Sequence, residues 1–594
     1  MRDIRTIETD IIDADVLVLG GGFAGSWTAY RAADLSASVV LVDKAFVSRS
    51  GASPISGGLT TCPMDGDDLD AWAHEFISRG DYMCDQDWTR QLLEGQRERV
   101  RDYAAWGVPI GRDDTGAIRR FASRGMIDVR CMQYKPKVAM AELRRRSLAK
   151  GVRIVDRVCI TELLTSDGRW PTAGAVVGAV GFHVHDGRLV VFRAKRTVLA
   201  TGMISMKGTH GVDNDTGDGV AMAYRAGARL IDMEFTFGGT FSVLMKNMHM
   251  PSYNVAVAQG ARLINARGER FMEQYDPVRL ERSELPCVVA AFAREVMEGR
   301  GPVYIDLRHM NETYWTDILS LNRGNSVLAS PHIPDPRRTP LLIEPTWGLW
   351  AGGRAGLQID LGCRSTLPGL LAAGSAAKND ATGTHASAGA PTAFSNVSGW
   401  VAGETAAREA ADADAPELDP ALLVELAERT FAPLRRPAGE ATADSLHDKL
   451  TAMEAFLVDG LVLRETRLQV MIDRTNEVTA ATGTIGAAHL HDLVKLYEAR
   501  NVAECARLVY ASALDRTESR EQFYREDYPE TDDDAWFCWH GTRRGNGGEG
   551  ADAMLFERLP IPDKPGWLQR PATRPRIGAV AAIMTGRASE LELH

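Results

Sequence analysis

Three glycines and one acid near the N terminus have the residue types and the spacing of a dinucleotide-binding site. Gly20, Gly22 and Gly25 follow an apolar segment. Asp43 ends a second apolar segment, residues 39–42. Gly20 permits a tight turn, Gly22 lets the backbone approach a pyrophosphate, and Gly25 allows a helix to pack closely on a strand. The N–H groups at the helix start can bind phosphate, and the acid can accept a hydrogen bond from a ribose hydroxyl.

A strand, a helix and a second strand are needed to position these residues, and residues 15–44, DVLVLGGGFAGSWTAYRAADLSASVVLVDK, predict that order. Later segments also place small residues beside predicted strands or helices. They are TVLATG, which ends at Gly202, TGDG, which contains Asp218, and LPGLLAAGS, which ends at Ser375. So many separate turns favour one long flavin dinucleotide over a nicotinamide held at a single fingerprint.

Composition and charge narrow the class of protein. The 594 residues exceed what one hydrophobic core holds, so several domains are expected. A net charge of −11 argues against a nucleic-acid partner. The sequence shows neither an apolar run long enough to span a membrane nor an apolar signal segment, so a cytoplasmic location is expected. The eight cysteines include no CxxC spacing, so we predict reduced thiols and no metal site.

On these segments the chain resembles the flavoprotein subunits of succinate dehydrogenase and fumarate reductase, together with L-aspartate oxidase and the adenylylsulfate reductase alpha subunit. The resemblance spans about residues 13–540. Its further matching segments are RSGASPISGG, GDYMCDQDW, WGVPIGRDDTG, LINARGERFMEQYDP and ALDRTESREQFYREDYPETDDDAW. The segments YKPKVAMAE and GRGPVYIDL look closest to the adenylylsulfate reductase branch.

The resemblance implies an α/β FAD-binding Rossmann-like domain with an inserted α+β capping domain and a C-terminal helical domain. We predict the first part of the FAD-binding domain over residues 1–240 and its second part over 351–415. The capping or substrate domain is predicted over 241–350 and the helical domain over 416–535. Residues 536–594 are predicted to be a C-terminal tail that follows the surface.

The glycine-rich turns and the resemblance together predict the residues that contact FAD. These are Gly20, Gly22, Phe23, Ala24, Gly25, Asp43, Lys44, Ser50, Gly51, Ala52, Gly57, Gly58, Val158, Ala200, Thr201, Gly202, Asp218, Gly374, Ser375 and Thr392. In respiratory members of the family a histidine after the Arg-Ser pair attaches FAD covalently. Gly51 stands at that place here, so non-covalent FAD is expected.

The family's dicarboxylate-binding residues are replaced in this chain. Its His-Pro-Thr-Gly run falls at residues 237–240, which read FGGT, and its arginine proton shuttle falls near Pro286. A family histidine falls at Gly348, and a family arginine has no counterpart in THASAGAP. Because two carboxylates in a dry cleft need cations or donors, the substrate is predicted not to be succinate, fumarate or aspartate.

His385, Arg282 and Glu234 are the candidates for catalysis. A neutral histidine can act as general acid or base near pH 7, and His385 lies in a run expected to face the flavin. Its alternative role is a loop histidine that bonds backbone. Arg282, with Arg279, is the arginine nearest to the lost shuttle and is either a substrate anchor or a surface charge. Glu234 has a proton-relay or a structural role. Trp347, with Trp350, is expected to wall the substrate or to pack in the core.

These features predict an FAD-dependent oxidoreductase that transfers a hydride between a small polar substrate and FAD. Electrons would leave through a separate iron–sulfur or ferredoxin-like subunit, since the sequence carries no cluster ligands. Homo- and hetero-oligomers both stay open. Three alternatives remain: adenylylsulfate reductase-like sulfur chemistry, an oxidase like L-aspartate oxidase, and a flavin-binding scaffold subunit without chemistry of its own.

Overall fold

A computed structural model of the chain describes residues 8–122, 124–206, 213–243, 253–321, 334–349, 354–384, 389–437, 439–453, 461–545, 553–572 and 577–587. For residues 237–243, 253–255, 318–319 and 345–349 only the backbone is described.

The strands, in chain order, are β1 (Thr9–Leu19), β2 (Val39–Asp43), β3 (Leu59–Thr61), β4 (Arg120–Ala122), β5 (Arg130–Gln133), β6 (Arg153–Asp156), β7 (Val158–Thr165), β8 (Val176–His183), β9 (Leu189–Leu199), β10 (Leu230–Ile231), β11 (Phe237–Val243), β12 (Arg262–Ile264), β13 (Val303–Asp306), β14 (Leu341–Leu349), β15 (Gly356–Leu357), β16 (Leu370–Ala372), β17 (Cys538–Arg544) and β18 (Met554–Pro560).

The α-helices are α1 (Phe23–Asp34), α2 (Leu69–Arg79), α3 (Gln86–Ala105), α4 (Pro136–Ala149), α5 (Asp218–Ala226), α6 (Tyr253–Ala258), α7 (Met272–Tyr275), α8 (Leu285–Met297), α9 (Glu312–Leu321), α10 (Ala390–Ala411), α11 (Pro420–Phe431), α12 (Ala443–Met453), α13 (Glu465–Thr482), α14 (Leu490–Asp515), α15 (Asp533–Trp536) and α16 (Ala579–Thr585). None of these helices, within the part of the chain described, is long and apolar enough to cross a bilayer.

The main sheet has the strand order β6-β2-β1-β9-β8-β7, with β16 beside the end of β9. β8 pairs antiparallel with β9 and with β7. β6, β2, β1 and β9 run parallel to one another and β16 runs parallel to β9, as in the pairing of Val16 with Val39. Their runs of valine and leucine are buried because helices cover the sheet, which is typical of parallel sheets. The carboxyl ends of β1, β2, β9 and β16 therefore meet at one edge, where open α/β sheets bind ligands.

Helix α10 packs closely against α1 because glycines face the contact. A Cβ atom built at Gly399 would lie 2.4 Å from the backbone oxygen of Ala24, and one at Gly403 would lie 2.4 Å from the oxygen of Thr28. Both distances are far below van der Waals contact, so only glycine fits at these positions. This packing holds the first turn of α1 against the small-residue segment that follows β16.

A second, antiparallel sheet has the order β11-β14-β13-β12. Its strands begin at Phe237 and end at Leu349, and α8 supplies a largely buried face that includes Val288, Val289 and Ala291. This sheet with its helices is the α+β unit inserted into the FAD-binding sequence. The predicted boundaries of 241 and 350 stay predictions, although β11 starts four residues earlier.

The C-terminal region combines a helical bundle with a small sheet. Helices α12, α13 and α14 pack together through leucine-rich faces that include Leu450, Leu468 and Leu496. The residues after 536 differ from the predicted surface-following tail. β17 and β18 form a hairpin that joins β10 and β15 in a sheet, and the buried side chains of α16 pack against α8. Apolar residues such as Ile583 provide the burial that the Pro- and Gly-rich composition had concealed.

Candidate cofactor pocket and substrate cleft

A pocket lies at the carboxyl ends of the parallel strands. Its lining combines the turn after β1, the end of β2, the loop 50–53, the turn after β9, the start of α5 and the segments around Ser375 and Ser395. The lining residues are Leu19, Gly20, Gly21, Gly22, Phe23, Ala24, Val42, Asp43, Lys44, Ser50, Gly51, Ala52, Ser53, Val158, Ile160, Ala200, Thr201, Gly202, Met203, Asn214, Asp215, Asp218, Met222, Ser375 and Ser395.

The turn between β1 and α1 leaves room only for backbone. Gly20 has a φ of +104°, and a Cβ atom there would lie 2.3 Å from the oxygen of Ala200. A Cβ atom at Gly25 would lie 1.8 Å from the oxygen of Gly20. Gly22 precedes α1 and has no side chain to cap it, and the N–H of Phe23 donates to Ser53 Oγ at 3.0 Å. The later N–H groups of the first turn and the positive end of the helix dipole face the pocket. This cradle suits a pyrophosphate.

Asp43 links the first two strands of the pocket. Its Oδ2 accepts a hydrogen bond of 2.8 Å from the N–H of Gly21, and its Oδ1 accepts one of 2.7 Å from the N–H of Ala45. A carboxylate offers about four lone-pair sites, so both oxygens can still accept from a ribose hydroxyl. Burial raises the pKa of Asp43 above its ordinary value, and the two backbone N–H groups oppose that rise.

Lys44 and Asp218 line the pocket but are tied to each other. The Lys44 Nζ lies 2.9 Å from Asp218 Oδ2 and 2.6 Å from Glu498 Oε1 on α14. Asn501 Nδ2 also donates to Asp218 Oδ1 at 2.9 Å. Burial would raise the pKa of Asp218, but Lys44 holds it below its ordinary value. The two side chains therefore connect the pocket wall to helix α14 of the C-terminal bundle.

Asp215 is a buried pocket residue that the sequence analysis missed. Its carboxylate lies over two glycines, since Cβ atoms at Gly202 and Gly51 would lie 2.8 and 3.3 Å from its Oδ1. Burial is the main reason that the pKa of Asp215 rises to about 7. The sequence signal for Asp215 was its place in the segment NDTGDG, in which Asp218 was the acid predicted to contact FAD.

Most of the predicted cofactor residues line this pocket. Five do not: Gly25, Gly57, Gly58, Gly374 and Thr392. Three of these glycines pack against other parts of the chain instead, Gly25 against the backbone of Gly20, Gly58 against Tyr134 and Gly374 against Ala24. The lining residues that sequence reasoning missed are Leu19, Gly21, Val42, Ser53, Ile160, Met203, Asn214, Asp215, Met222 and Ser395.

Glu234, a predicted catalytic candidate, lies in a buried charge cluster. Its Oε1 is 2.6 Å from Arg516 Nε, and its Oε2 is 3.1 Å from His540 Nδ1. Arg516 continues to Glu518 at 2.6 Å. Burial would raise the pKa of Glu234, but the charges of His540 and Arg516 bring it below its ordinary value. These contacts support the structural role over the proton relay.

Of the two other catalytic candidates, His385 and Arg282, only Arg282 lies among the described residues. His385 and Trp350 lie outside the described residues, as does the side chain of Trp347. Arg282 has an exposed side chain, and its backbone oxygen accepts a hydrogen bond of 2.7 Å from the N–H of Gly125. Its neighbour Arg279 instead lines a cleft.

This cleft lies between α2, the capping domain and the C-terminal segment, with a volume of about 670 Å³. Pro286, at the predicted position of the lost arginine, occupies the first turn of α8. Cys287 follows it and faces the cleft as a thiol, because burial raises its pKa well above the ordinary value.

Two buried arginines close to the capping domain were also missed. Arg124 and Arg354 are 3% and 4% exposed. Burial, followed by the positive charge of Arg124, lowers the pKa of Arg354 to about 9. Gly125, next to Arg124, donates the hydrogen bond to Arg282 that joins this region to the capping domain. Two cations in one buried region suit an anionic group.

Comparison with known proteins agrees with this arrangement. The FAD binding domain family matches residues 15–392, and the fumarate reductase flavoprotein C-terminal family matches residues 465–551. The chain belongs to the fumarate reductase and succinate dehydrogenase flavoprotein family. This membership confirms the predicted resemblance, the fold class, FAD as the cofactor and the assignment as an FAD-dependent oxidoreductase.

Relatives of this flavoprotein cover nearly its whole length. It is 31% identical to the L-aspartate oxidase of Streptomyces coelicolor, over 88% of this chain and 90% of that protein. It is 29% identical to the fumarate reductase flavoprotein subunit of Mycobacterium tuberculosis, over 88% of this chain and 93% of that protein.

The solved structures show the same fold. A mutant quinol fumarate reductase from E. coli aligns with a TM-score of 0.82 at 23% identity, over 94% of this chain and 99% of that one. The adenylylsulfate reductase of Archaeoglobus fulgidus aligns with a TM-score of 0.79 at 22% identity, over 96% and 99%.

Proposed function

We propose that this flavoprotein transfers a hydride between a small polar substrate and non-covalently bound FAD, and that electrons pass to a separate iron–sulfur or ferredoxin-like subunit. The observation that carries the proposal is the glycine cradle at the carboxyl ends of β1 and β9. A Cβ atom would collide there with backbone, so the space suits a ligand that approaches the main chain. When bound, FAD supplies a ring that takes or gives two electrons as a hydride.

The residues of the chain have distinct tasks in this proposal. The N–H groups of the first turn of α1 that follow Phe23 bind phosphate, since the N–H of Phe23 donates to Ser53 Oγ, and Asp43 accepts a hydrogen bond from ribose. Lys44 and Asp218 hold the pocket wall against α14 through their ion pair. The capping domain covers the cleft and keeps water away from the reacting atoms, as closure does in other enzymes.

The loop that lines the pocket beside Ser50 supports a non-covalent cofactor. Gly51 follows Ser50 with a φ of +73° and no side chain, and Ala52 comes next. Neither Gly51 nor Ala52 carries a nucleophile that could form a bond to the flavin ring. We therefore expect FAD to leave intact when the protein unfolds.

The cleft supports a polar substrate other than a plain C4 dicarboxylate. Proline and a buried thiol stand at residues 286 and 287, where an arginine would bind or protonate a carboxylate. Arg124 and Arg354 supply buried positive charge elsewhere, which favours a substrate with one anionic group. A separate electron-accepting subunit is supported by relatives whose names describe them as subunits.

Release of the flavin tests the mode of attachment. Holoprotein is denatured in acid and filtered, and the filtrate is analysed for flavin. We expect about one intact FAD per chain in the filtrate. Flavin that stays with the precipitated protein would contradict the non-covalent proposal.

Reoxidation tests the electron route. The bound flavin is photoreduced without oxygen and mixed in parallel with a ferredoxin, an artificial dye and dioxygen. Fast reoxidation by ferredoxin or dye, and slow reoxidation by dioxygen, is the expected result. Rapid stoichiometric hydrogen peroxide would favour the oxidase alternative, which the 31% identity to L-aspartate oxidase supports. A flavin that no acceptor reoxidises would favour the scaffold alternative.

A further inference from the structure

The cleft has a small inner cavity that nothing in the proposed hydride transfer yet uses. It is lined by Glu284, Pro286, Cys287, Thr384, Glu521, Gln522, Ala579 and Val580, and its volume is about 10 Å³. That volume holds one group of the size of a water molecule or an ammonium group. It shares Glu284, Cys287, Glu521 and Ala579 with the large cavity, so the two spaces meet.

The polar atoms around this inner cavity are mainly acceptors. Glu521 and Glu284 each bring a carboxylate. Gln522 Oε1 and Thr384 Oγ1 are buried and have no hydrogen-bond partner among the described residues. The amide orientation of Gln522 is fixed, because its Nε2 donates to the backbone oxygen of Phe235 at 2.9 Å. Buried acceptors that lack a partner in the protein require a donor from outside the chain, which a bound water or a ligand supplies.

The backbone holds Glu521 toward the cavities at a conformational cost. Its φ is +50°, which is uncommon for a residue with a side chain, and such strain concentrates at functional sites. Arg520 on one side is held by Glu518 and Asp533. Gln522 on the other side is held by Phe235. The neighbours are therefore committed to the core, while Glu521 lines both cavities.

The charges facing Glu521 come from several elements. Burial, followed by the charge of Glu284, raises its pKa to about 7, and Arg520, Arg79 and Arg570 oppose the rise. The thiol of Cys287 lines the same space, and Glu521 helps to keep it protonated. The cleft that Glu521 lines also holds Asp81, Tyr82, Asp276 and Arg279. Glu284 already lies 3.6 Å from Arg79 Nη1, so Glu521, which burial and the charge of Glu284 disfavour as an anion, is the carboxylate that gains most from a bound cation.

We propose that the inner cavity binds a protonated amine and that the substrate of this flavoprotein is therefore a small amine or amino acid. The inference names the substrate class of the proposed oxidoreductase and rests on that proposal. An ammonium group carries three donors and no acceptor. The carboxylates of Glu521 and Glu284, with Gln522 Oε1 and Thr384 Oγ1, supply matching acceptors. A carboxylate on the same ligand would lie outward, in the large cavity that Arg279 lines.

Calorimetry on the holoprotein tests the inference, with ethylammonium, glycine and acetate as probes. Ethylammonium and glycine are expected to bind at pH 8, whereas acetate, which has no ammonium group, is expected not to bind. Glu521→Gln is expected to weaken ethylammonium binding about 10- to 100-fold, since truncating one partner of a buried charge pair has effects of that order. Affinity should rise from pH 6 to 8 as Glu521 ionises, and Glu521→Gln should lose that rise.

Two variants guard against a misfolded protein. Asp128→Asn removes a carboxylate that lines the same cleft but is exposed, and binding should be unchanged. Glu521→Gly relieves the positive φ and should fold, yet bind ethylammonium as weakly as Glu521→Gln. The inference is overturned if acetate binds as well as the amines, or if Glu521→Gln and Asp128→Asn behave alike. Flavin content and photoreduction of the same samples report on the proposed function separately.

Discussion

Glu234 Oε1 lies 2.6 Å from the Nε atom of Arg516, and both side chains are completely buried. This ion pair joins the residues after β10 to those after α14. His540 completes the contact from β17, with its Nδ1 at 3.1 Å from Glu234 Oε2. One carboxylate thus links the FAD-binding domain, the helical domain and the C-terminal hairpin, although the three segments are far apart in the sequence.

Glu234→Gln is expected to destabilise the protein by about 3–5 kcal/mol, because it removes from a fully buried cluster the carboxylate that Arg516 and His540 share, and leaves Arg516 with Glu518 alone of its two anions. Denaturant unfolding followed by circular dichroism measures the loss. Arg464→Gln is the matched control, since its ion pair with Glu526 is half exposed and spans 3.5 Å. Equal effects of the two substitutions would show that the buried pair has no special weight.

His540 is expected to make stability depend on pH. Burial alone would lower the pKa of His540, but Glu234 and Asp515 outweigh burial and raise the pKa to about 9. The pKa of this histidine in the folded protein exceeds its unfolded value of about 6.5. Its contribution to the stability of the protein is therefore fully present below pH 6.5 and is lost as the pH rises through 9. The free energy of unfolding should therefore fall by about 3 kcal/mol over that window.

Unfolding at several pH values between 6 and 9.5 checks this expectation. His540→Gln should be less stable than the wild type at pH 6 and should show a flatter profile. The exposed His489 supplies the control, and His489→Gln should follow the wild-type profile. If His540→Gln keeps the wild-type slope, the titrating group lies elsewhere.

The sequence predicted the parts of the site that depend on neighbours along the chain. Gly20, Gly22 and Asp43 belong to one βαβ unit, and strand–turn–helix geometry alone brings them together. Lys44 and Asp218 were also named, but the contact to Glu498 that occupies them depends on how the helical domain docks. No local pattern contains that information.

The features that could not be predicted from the sequence depend on tertiary packing. β17 pairs with β10, a two-residue strand too short to be recognised from periodicity, so the tail was not expected to enter a sheet. Asp215 becomes a pocket residue because the loop before α5 folds over Gly202 and Gly51. Glu521 gave no signal, because an acid in a charged run usually faces solvent.

Gly25→Ala is expected to abolish FAD binding. A Cβ atom at this position would lie 1.8 Å from the oxygen of Gly20, so the turn that faces the phosphates must open. Flavin absorbance per chain after purification measures the effect. The comparison is Gly439→Ala, where nothing lies within 4 Å and full flavin content is expected. Normal flavin content in Gly25→Ala would contradict the predicted cradle.

Glu521→Gly is expected to stabilise the protein by about 1 kcal/mol, because glycine adopts a positive φ without strain. The thermal midpoint at pH 8 should rise, and removal of a carboxylate beside Glu284 should add to the gain. Glu521→Gln removes the charge and keeps the backbone strain, so it separates the two contributions. A lower midpoint for Glu521→Gly would show that the side chain contributes packing that outweighs its strain.

Asp215 is expected to weaken the apoprotein at neutral and higher pH. Burial raises its pKa to about 7, so the folded protein keeps a proton that the unfolded chain has already lost. Because the pKa of Asp215 is raised in the folded state, the free energy of unfolding falls as the pH rises from about 4 to about 7, by about 4 kcal/mol at most.

Asp215→Asn should remove this pH dependence and make the apoprotein more stable at pH 8, and unfolding of the flavin-free protein measures both effects. Asp213→Asn, an exposed acid two residues earlier, should leave the slope unchanged. If Asp215→Asn instead lowers stability at pH 8, the carboxylate is ionised and stabilised by its neighbours, among them Lys44, whose charge lowers its pKa.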